Sequence, residues 1–139
     1  MSIIIKLDWP DSRLAPNKSS GRHWGGLAAI KSKAKGDAYT LTKNALKGLK
    51  SPWPEFKGDI PVSLLFMQPD GRRRDVDGML SSAKHQIDGV CAALGIDDSR
   101  LRPLWIDRQR SPAKGTGALF VAVGLQSMSG TEIVDGWPV

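Results

Sequence analysis

Residues 60–95 read IPVSLLFMQPDGRRRDVDGMLSSAKHQIDGVCAALG. Ile60 to Met67 is apolar almost throughout and short, which predicts a strand covered on both faces. Pro69-Asp70-Gly71 marks the end of that strand, and three arginines and two aspartates follow. Beyond them Leu80, Ala83, Ile87, Val90 and Leu94 recur on one stripe, which predicts an amphipathic helix. Gly95 ends it as a C-terminal capping glycine does. A buried strand that runs through a charged turn into a helix is the unit on which the fold is read.

On the N-terminal side, Ile3 to Leu7 reads as a short buried strand stopped by Trp9-Pro10. A loop rich in Pro, Asn, Ser and Gly extends from Asp11 to Gly26. From Leu27 to about Leu49, the residues Leu27, Ile30, Ala34, Ala38, Leu41, Ala45 and Leu49 fall at helical spacing. Lys31, Lys33, Lys35, Lys43 and Lys47 lie between them and give this helix a basic outer surface. Gly36 weakens its middle, and Ser51-Pro52-Trp53-Pro54 breaks it. On the C-terminal side, Leu104 to Gln109 and Ala118 to Val123 read as strands. The connection Ser111 to Gly117 is expected to close them as a long-looped hairpin. The order β-α-β-α-β-β predicts an α+β single domain, a mixed sheet of about four strands with two main helices. The domain is expected over residues 1–124, with 125–139 as a peripheral tail that Trp137 anchors.

The chain has 139 residues, enough for one such domain. Lys+Arg outnumber Asp+Glu by 20 to 14, a net charge of +6, and the isoelectric point is near 9.7. That balance favours a polyanionic partner, nucleic acid first, although many basic proteins bind nothing acidic. One cysteine, Cys91, excludes an internal disulfide and a cysteine-clustered zinc site. It sits on or beside the apolar stripe and reads as core. His23 and His85 have no ligand spacing, and His85 reads as a solvent-facing helix residue. The apolar run at Ile3 is too short for a signal peptide, and no segment approaches the roughly 20 apolar residues of a membrane span. A reducing, cytoplasmic setting without membrane contact is expected.

Asp75 and Asp77 stand two apart where the chain leaves a strand. In an extended segment they would point to one side, and two adjacent carboxylates repel unless a cation lies between them. The alternative is structural, with Asp77 an N-cap and Asp75 a loop charge paired to arginine. Counting from Asp77, Ser81, Lys84 and Asp88 fall on one helix face at +4, +7 and +11. That face flanks the apolar stripe and is expected to line a cleft at the edge of the core. Lys84 there could neutralise charge on a phosphorus centre under attack, or pair with Asp88 at i,i+4. Asp97-Asp98-Ser99 is by itself an ordinary turn sequence. It returns a third carboxylate to the site only if the next strand pairs beside the one that ends near Arg72.

In order, Asp75-Val-Asp-Gly, Lys84-His-Gln-Ile-Asp88-Gly and Leu94-Gly-Ile-Asp-Asp98-Ser resemble the signature of the RusA-type Holliday junction resolvases. That family shows an arginine-led D-x-D-N, a helical lysine, and a glycine followed by a double aspartate. Trp9-Pro10-Asp11, Pro16-Asn17 and His23-Trp24 are similar to its opening loop, so the likeness runs from about Ile3 to Val123. The resemblance implies a RusA-like fold and a magnesium-dependent (manganese as the alternative) endodeoxyribonuclease, a hydrolase acting in DNA recombination and repair. It implies that Asp75, Asp77 and Asp98 bind Mg²⁺ and that Lys84 is catalytic. It also implies a homodimer, bacterial or prophage-encoded, that makes paired nicks across a four-way junction. Gly78 stands where the family has asparagine. The gap from Asp77 to Lys84 exceeds that of the founding member by close to one helical turn, which keeps the lysine on the same face. Asp88 and Asp97 are expected to support the site from outside it. A non-catalytic nucleic-acid-binding protein of the same fold, and a metal nuclease for flaps or other branched DNA, are the competing readings.

Arg72, Arg73 and Arg74, next to the aspartates, are the expected contacts to DNA phosphates. Lys18 and Arg22 in the opening loop and Lys31, Lys33 and Lys35 on the first helix are expected to extend them. Trp24 and Trp105 could stack on an unpaired base, although core positions suit them better.

Overall fold

A computed structural model describes residues 3–14, 24–49, 58–112 and 115–124. Four strands and two helices are defined there: β1 (Ile3–Asp8), α1 (Trp24–Lys47), β2 (Ile60–Gln68), α2 (Val76–Leu94), β3 (Leu101–Arg110) and β4 (Ala118–Val123). Single 3₁₀ turns, Ser12–Leu14 and Asp98–Arg100, precede α1 and β3. The expected α+β domain is present, with one mixed four-stranded sheet and two helices.

The sheet order is β1-β4-β2-β3. β4 pairs antiparallel with β1 and with β2, and β3 pairs parallel with β2. The expected hairpin between β3 and β4 is therefore absent, because β2 lies between them. β2 and β4 take the two central places, where both faces of a strand are covered, and their unbroken apolar sequences suit that burial. β3 carries Arg102, Asp107, Arg108 and Arg110 and takes the edge, exposed along most of its length.

One face of the sheet packs beneath both helices. Ile5, Leu7, Val62, Leu64, Phe66, Leu119 and Val121 meet Ala38 of α1 and Met79, Ala83 and Val90 of α2 in the main core. Strict alternation in β1 turns Ile3, Ile5 and Leu7 inward and leaves Ile4 42% exposed. The opposite face holds a smaller buried cluster of Leu65, Met67, Ala118, Phe120 and Ala122. α1 and α2 approach closely at Gly89, where a Cβ would lie 2.3 Å from the Lys35 carbonyl oxygen and 2.9 Å from the Ala38 Cβ. Only glycine fits that crossing.

Both ends of α2 are closed locally. Asp75 is the N-cap, extended at φ −89° and ψ 155°, and its carboxylate accepts from the Gly78 N–H at 2.7 Å. At the other end Gly95 takes a left-handed φ of 71°, so that its N–H and that of Ile96 donate to the carbonyls of Ala92 and Cys91. Among the described residues no helix is long and apolar enough to cross a membrane. Lys18, Arg22, His23 and residues 125–139 lie outside the described residues, as does the Trp24 side chain.

Candidate active site

Asp75 and Asp77 do not share an extended segment. Asp75 is the capping residue, whereas Asp77 already lies in the first turn of α2. The structural alternative had these roles reversed, with Asp77 as the cap. A Cβ at Gly78 would lie 2.5 Å from Asp75 Oδ1, so a side chain at position 78 would require that carboxylate to shift.

The polar face of α2 does line a cleft. Ser81, Lys84 and Asp88 border a cavity of about 330 Å³ together with Leu80, Ile87, Leu101, Leu104 and Asp98. Lys84 makes no hydrogen bond or ion pair among the described residues, so the expected alternative pairing with Asp88 is not formed. Asp88 lies instead 3.9 Å from His85 Nδ1. Asp97 caps the 3₁₀ turn by accepting from the Ser99 N–H at 2.9 Å, and that bond holds its carboxyl below the usual range. Asp98, the next residue, is left to face the cavity.

The three aspartates expected to share a metal are not brought together within one chain. The condition set by the sequence is met, since β3 does pair beside β2, but the pairing is parallel. Ile60 is level with Leu101 and Gln68 with Arg110, a separation of about 26 Å at roughly 3.3 Å per step. Asp98 precedes the start of β3 and Asp75 follows the end of β2, so they belong to opposite ends of the sheet. Among the described residues no three His, Cys, Asp or Glu side chains come close enough to hold one ion.

The arginine triplet divides. Arg74 is half-buried, with Nη1 3.0 Å from Asp70 Oδ1 and its guanidinium stacked 5.3 Å from the Trp9 ring centroid. Hydrogen bonds from Arg74 and the Arg72 N–H hold Asp70 below the usual carboxylate range. Trp9 in turn packs edge-on against Phe66 at 6.1 Å. Arg74 is thus engaged by Asp70 and Trp9 within the fold, while Arg72 and Arg73 remain exposed. Two arginines that sequence reasoning missed join them from β3. Arg108 donates through Nη1 to the Arg74 carbonyl, and the Arg110 guanidinium lies against Gly71, 3.1 Å from where a Cβ would sit. The signal was available: Arg108 and Arg110, two apart at a strand end, share one face.

On α1, Lys33 is exposed but bonded to Asp37 at 2.5 Å, whereas the charges of Lys31 and Lys35 act on His85 of α2. His85 is not solvent-facing as expected. It is half-buried, and burial first, then the charge of Lys31, holds its pKa below the ordinary value, against the pull of Asp88. Trp105 is not core either; it stands 36% exposed on the edge strand. Cys91 is core, and burial, followed by the nearby Asp98 carboxylate, pushes its thiol up to about 12.

No family model matches the chain. An uncharacterized protein of Xylella fastidiosa is 33% identical over 109 residues, covering 76% of this chain and 68% of that relative. Identity of that order over two thirds of both chains marks common descent, and the chain belongs to the same family as this uncharacterized Xylella fastidiosa protein.

Proposed function

We propose that the chain is an endonuclease for branched DNA, a resolvase of four-way junctions of the RusA type, acting in recombination and repair. One observation carries the reading. Lys84 stands without a described partner in a cavity beside Asp88 and Asp98, on the helix face that also bears Asp77. A lysine side chain in that position can neutralise charge that develops on a phosphate. Arg72, Arg73, Arg108 and Arg110, gathered where β2 and β3 end, would grip the phosphate backbone without reading sequence. Lys31 and Lys35 would extend the grip along α1. The exposed Trp105 offers a stacking surface for an unpaired base. A cytoplasmic bacterial or prophage setting and a homodimeric form belong to the same reading.

Mg²⁺ or Mn²⁺ is the cofactor that the resemblance implies, and a single chain does not fit it. Asp75 and Asp77 stand near one end of α2 and Asp88, Asp97 and Asp98 near the other, and Asp75 and Asp97 are occupied as caps. The same split favours a second reading, a nucleic-acid-binding protein of this fold that does not cut.

The two readings separate on a mobile four-way junction incubated with and without Mg²⁺, beside Lys84→Ala and Asp77→Asn variants. Metal-dependent nicking that both variants lose is the expected result. Equal nicking by the variants overturns the site, and binding without cleavage in either metal selects the second reading. Cleavage of flaps but not junctions retains the nuclease and changes its substrate.

A further inference from the structure

A second cavity, of about 280 Å³, lies on the far side of α2 from Lys84. Its walls come from the end of β1, the Ser12–Leu14 turn, α1 and Gln86 of α2. Gln86 stands two residues from Lys84, about 200° around the helix at 3.6 residues per turn. Among the described residues the two cavities share no lining side chain. The volume stands at the lower end of small-molecule sites, so it suits a small ligand. Leu7, Trp9, Ile30, Ala38 and Leu41 give it an apolar lining. The Arg74 guanidinium over the Trp9 ring, and the edge contact of that ring with Phe66, fix this wall before anything binds.

Two acceptors of this cavity lack a donor. Gln86 is 6% exposed; its Nε2 donates to the Asp8 carbonyl at 2.8 Å, and its Oε1 is buried without a partner. Buried acceptors are rarely left unmet, because the water they lose must be replaced. The Asp8 carboxylate is the second. It makes no hydrogen bond or ion pair among the described residues, and its charge acts on Lys33. The remaining charges cancel in pairs: Arg13 holds Asp11 at 2.6 Å, and Lys33 holds Asp37 at 2.5 Å. Both cations of the lining are therefore engaged, and one negative charge is left over.

These conditions select the ligand. An anion would meet no free cation here. A bare metal ion is disfavoured, since among the described residues no three carboxylates converge closely enough to hold one. A neutral apolar molecule would fill the lining and strand the Gln86 oxygen. A positively charged donor on a short apolar stem answers every group. We infer that the cavity binds a primary alkylammonium ion, whose N–H groups donate to Gln86 Oε1 and the Asp8 carboxylate while its stem lies among Leu7, Ile30 and Leu41. A free amine and a lysine side chain of a partner present this same chemistry. The site does not depend on the nuclease reading, since it lies on the other side of α2 from Lys84.

The test is a titration of the ¹⁵N-labelled full chain, followed by nuclear magnetic resonance at neutral pH and constant ionic strength. The probes are n-butylammonium chloride, 1-butanol as its uncharged counterpart, and Nα-acetyl-lysine methylamide as the side-chain form. Butylammonium should shift the Gln86 side-chain amide saturably and bind about tenfold more tightly than butanol, because charge-assisted hydrogen bonds are the stronger ones. Asp8→Asn, at an exposed position, should weaken butylammonium by about the same factor and leave butanol unchanged. Gln86→Leu should also weaken the amine, and Ala34→Leu, on the α1 wall, should fill the cavity and block both ligands. Thermal melting checks that each variant folds, and Asp8→Asn decides the matter should Gln86→Leu fail to. Tighter binding of the lysine amide than of butylammonium assigns the site to a partner's side chain, and the reverse order to a free amine. No saturable shift with either amine, butanol binding as tightly as butylammonium, or unchanged amine binding by Asp8→Asn overturns the inference.

Discussion

Gly89→Ala and Gly36→Ala should change stability in opposite directions, although each adds one methyl group to the interior of a helix. Intrinsic propensity favours alanine over glycine by about 1 kcal/mol at either site. At Gly36 nothing lies within 4 Å of the new Cβ, so most of that gain should appear, about 0.5–1 kcal/mol. At Gly89 the new atom would meet the Lys35 carbonyl oxygen at 2.3 Å and the Ala38 Cβ at 2.9 Å. The first of these is backbone, so it cannot rotate aside. α1 must move off α2 by about 1 Å, and overpacking of this kind costs about 1–3 kcal/mol, with more in tight sites. The crossing is also where the helices seal the main core, so the shift loosens contacts beyond the pair. The 2.3 Å backbone contact puts the cost in the upper part of that range, about 2–3 kcal/mol, so after the propensity gain of about 1 kcal/mol is subtracted a net loss of about 1–2 kcal/mol is expected. For a chain of this size, that lowers the melting temperature by roughly 3–8 °C, while Gly36→Ala raises it by a few degrees. Urea titration and thermal melting followed by circular dichroism measure both. A Gly89→Ala protein as stable as the wild type would show that the helices do not cross there as described.

Three further outcomes are expected. The Cys91 thiol, pushed up to about 12 by burial and nearby carboxylates, should resist iodoacetamide at pH 8 in the folded protein and react in urea; equal rates in both states would contradict its place in the core. The folded His85 pKa lies below the ordinary 6.5, so the imidazole is neutral in both states well above that pH and adds no pH dependence there. As pH falls below 6.5 the unfolded chain takes up the proton first, and stability is lost until the folded pKa is passed. The drop in urea midpoint between pH 7.5 and 5.5 should accordingly shrink in His85→Gln, with Lys31, Lys35, Lys84 and Asp88 left in place around it. Neutralising Arg73, which is exposed, should flatten the salt dependence of DNA binding by about one unit of slope. Arg74→Ala should instead lower stability by removing the Asp70 pair and the Trp9 stack, so a purely electrostatic loss at Arg74 would overturn its structural assignment.

Much of the fold was legible because its signals are local. The apolar run of β2, the phase of the stripe on α2 and the stop at Gly95 each depend on neighbours within a turn or two. The polar face of α2 was legible for the same reason, since helix geometry fixes where Ser81, Lys84 and Asp88 point relative to Asp77. Even Gly78 carries a local meaning, although it took atomic positions to see that a Cβ would displace the Asp75 carboxylate.

Strand neighbours were not legible. Ala118 to Val123 follows β3 closely and reads as its hairpin partner, yet an all-apolar strand is best covered at a central place, and the charged β3 goes to the edge. No local pattern states which distant strand supplies that cover. The site inherits the same limit. By itself the sequence determined that Lys84 shares a face with Asp77, because helix periodicity fixes it, whereas the extended segment expected for Asp75 and Asp77 gave way to a cap and a first helical turn. Only the tertiary structure decided where Asp98 lies. Parallel pairing of β3 with β2 sets the start of one strand level with the start of the other. The length of a strand therefore separates the third aspartate from the first two within one chain.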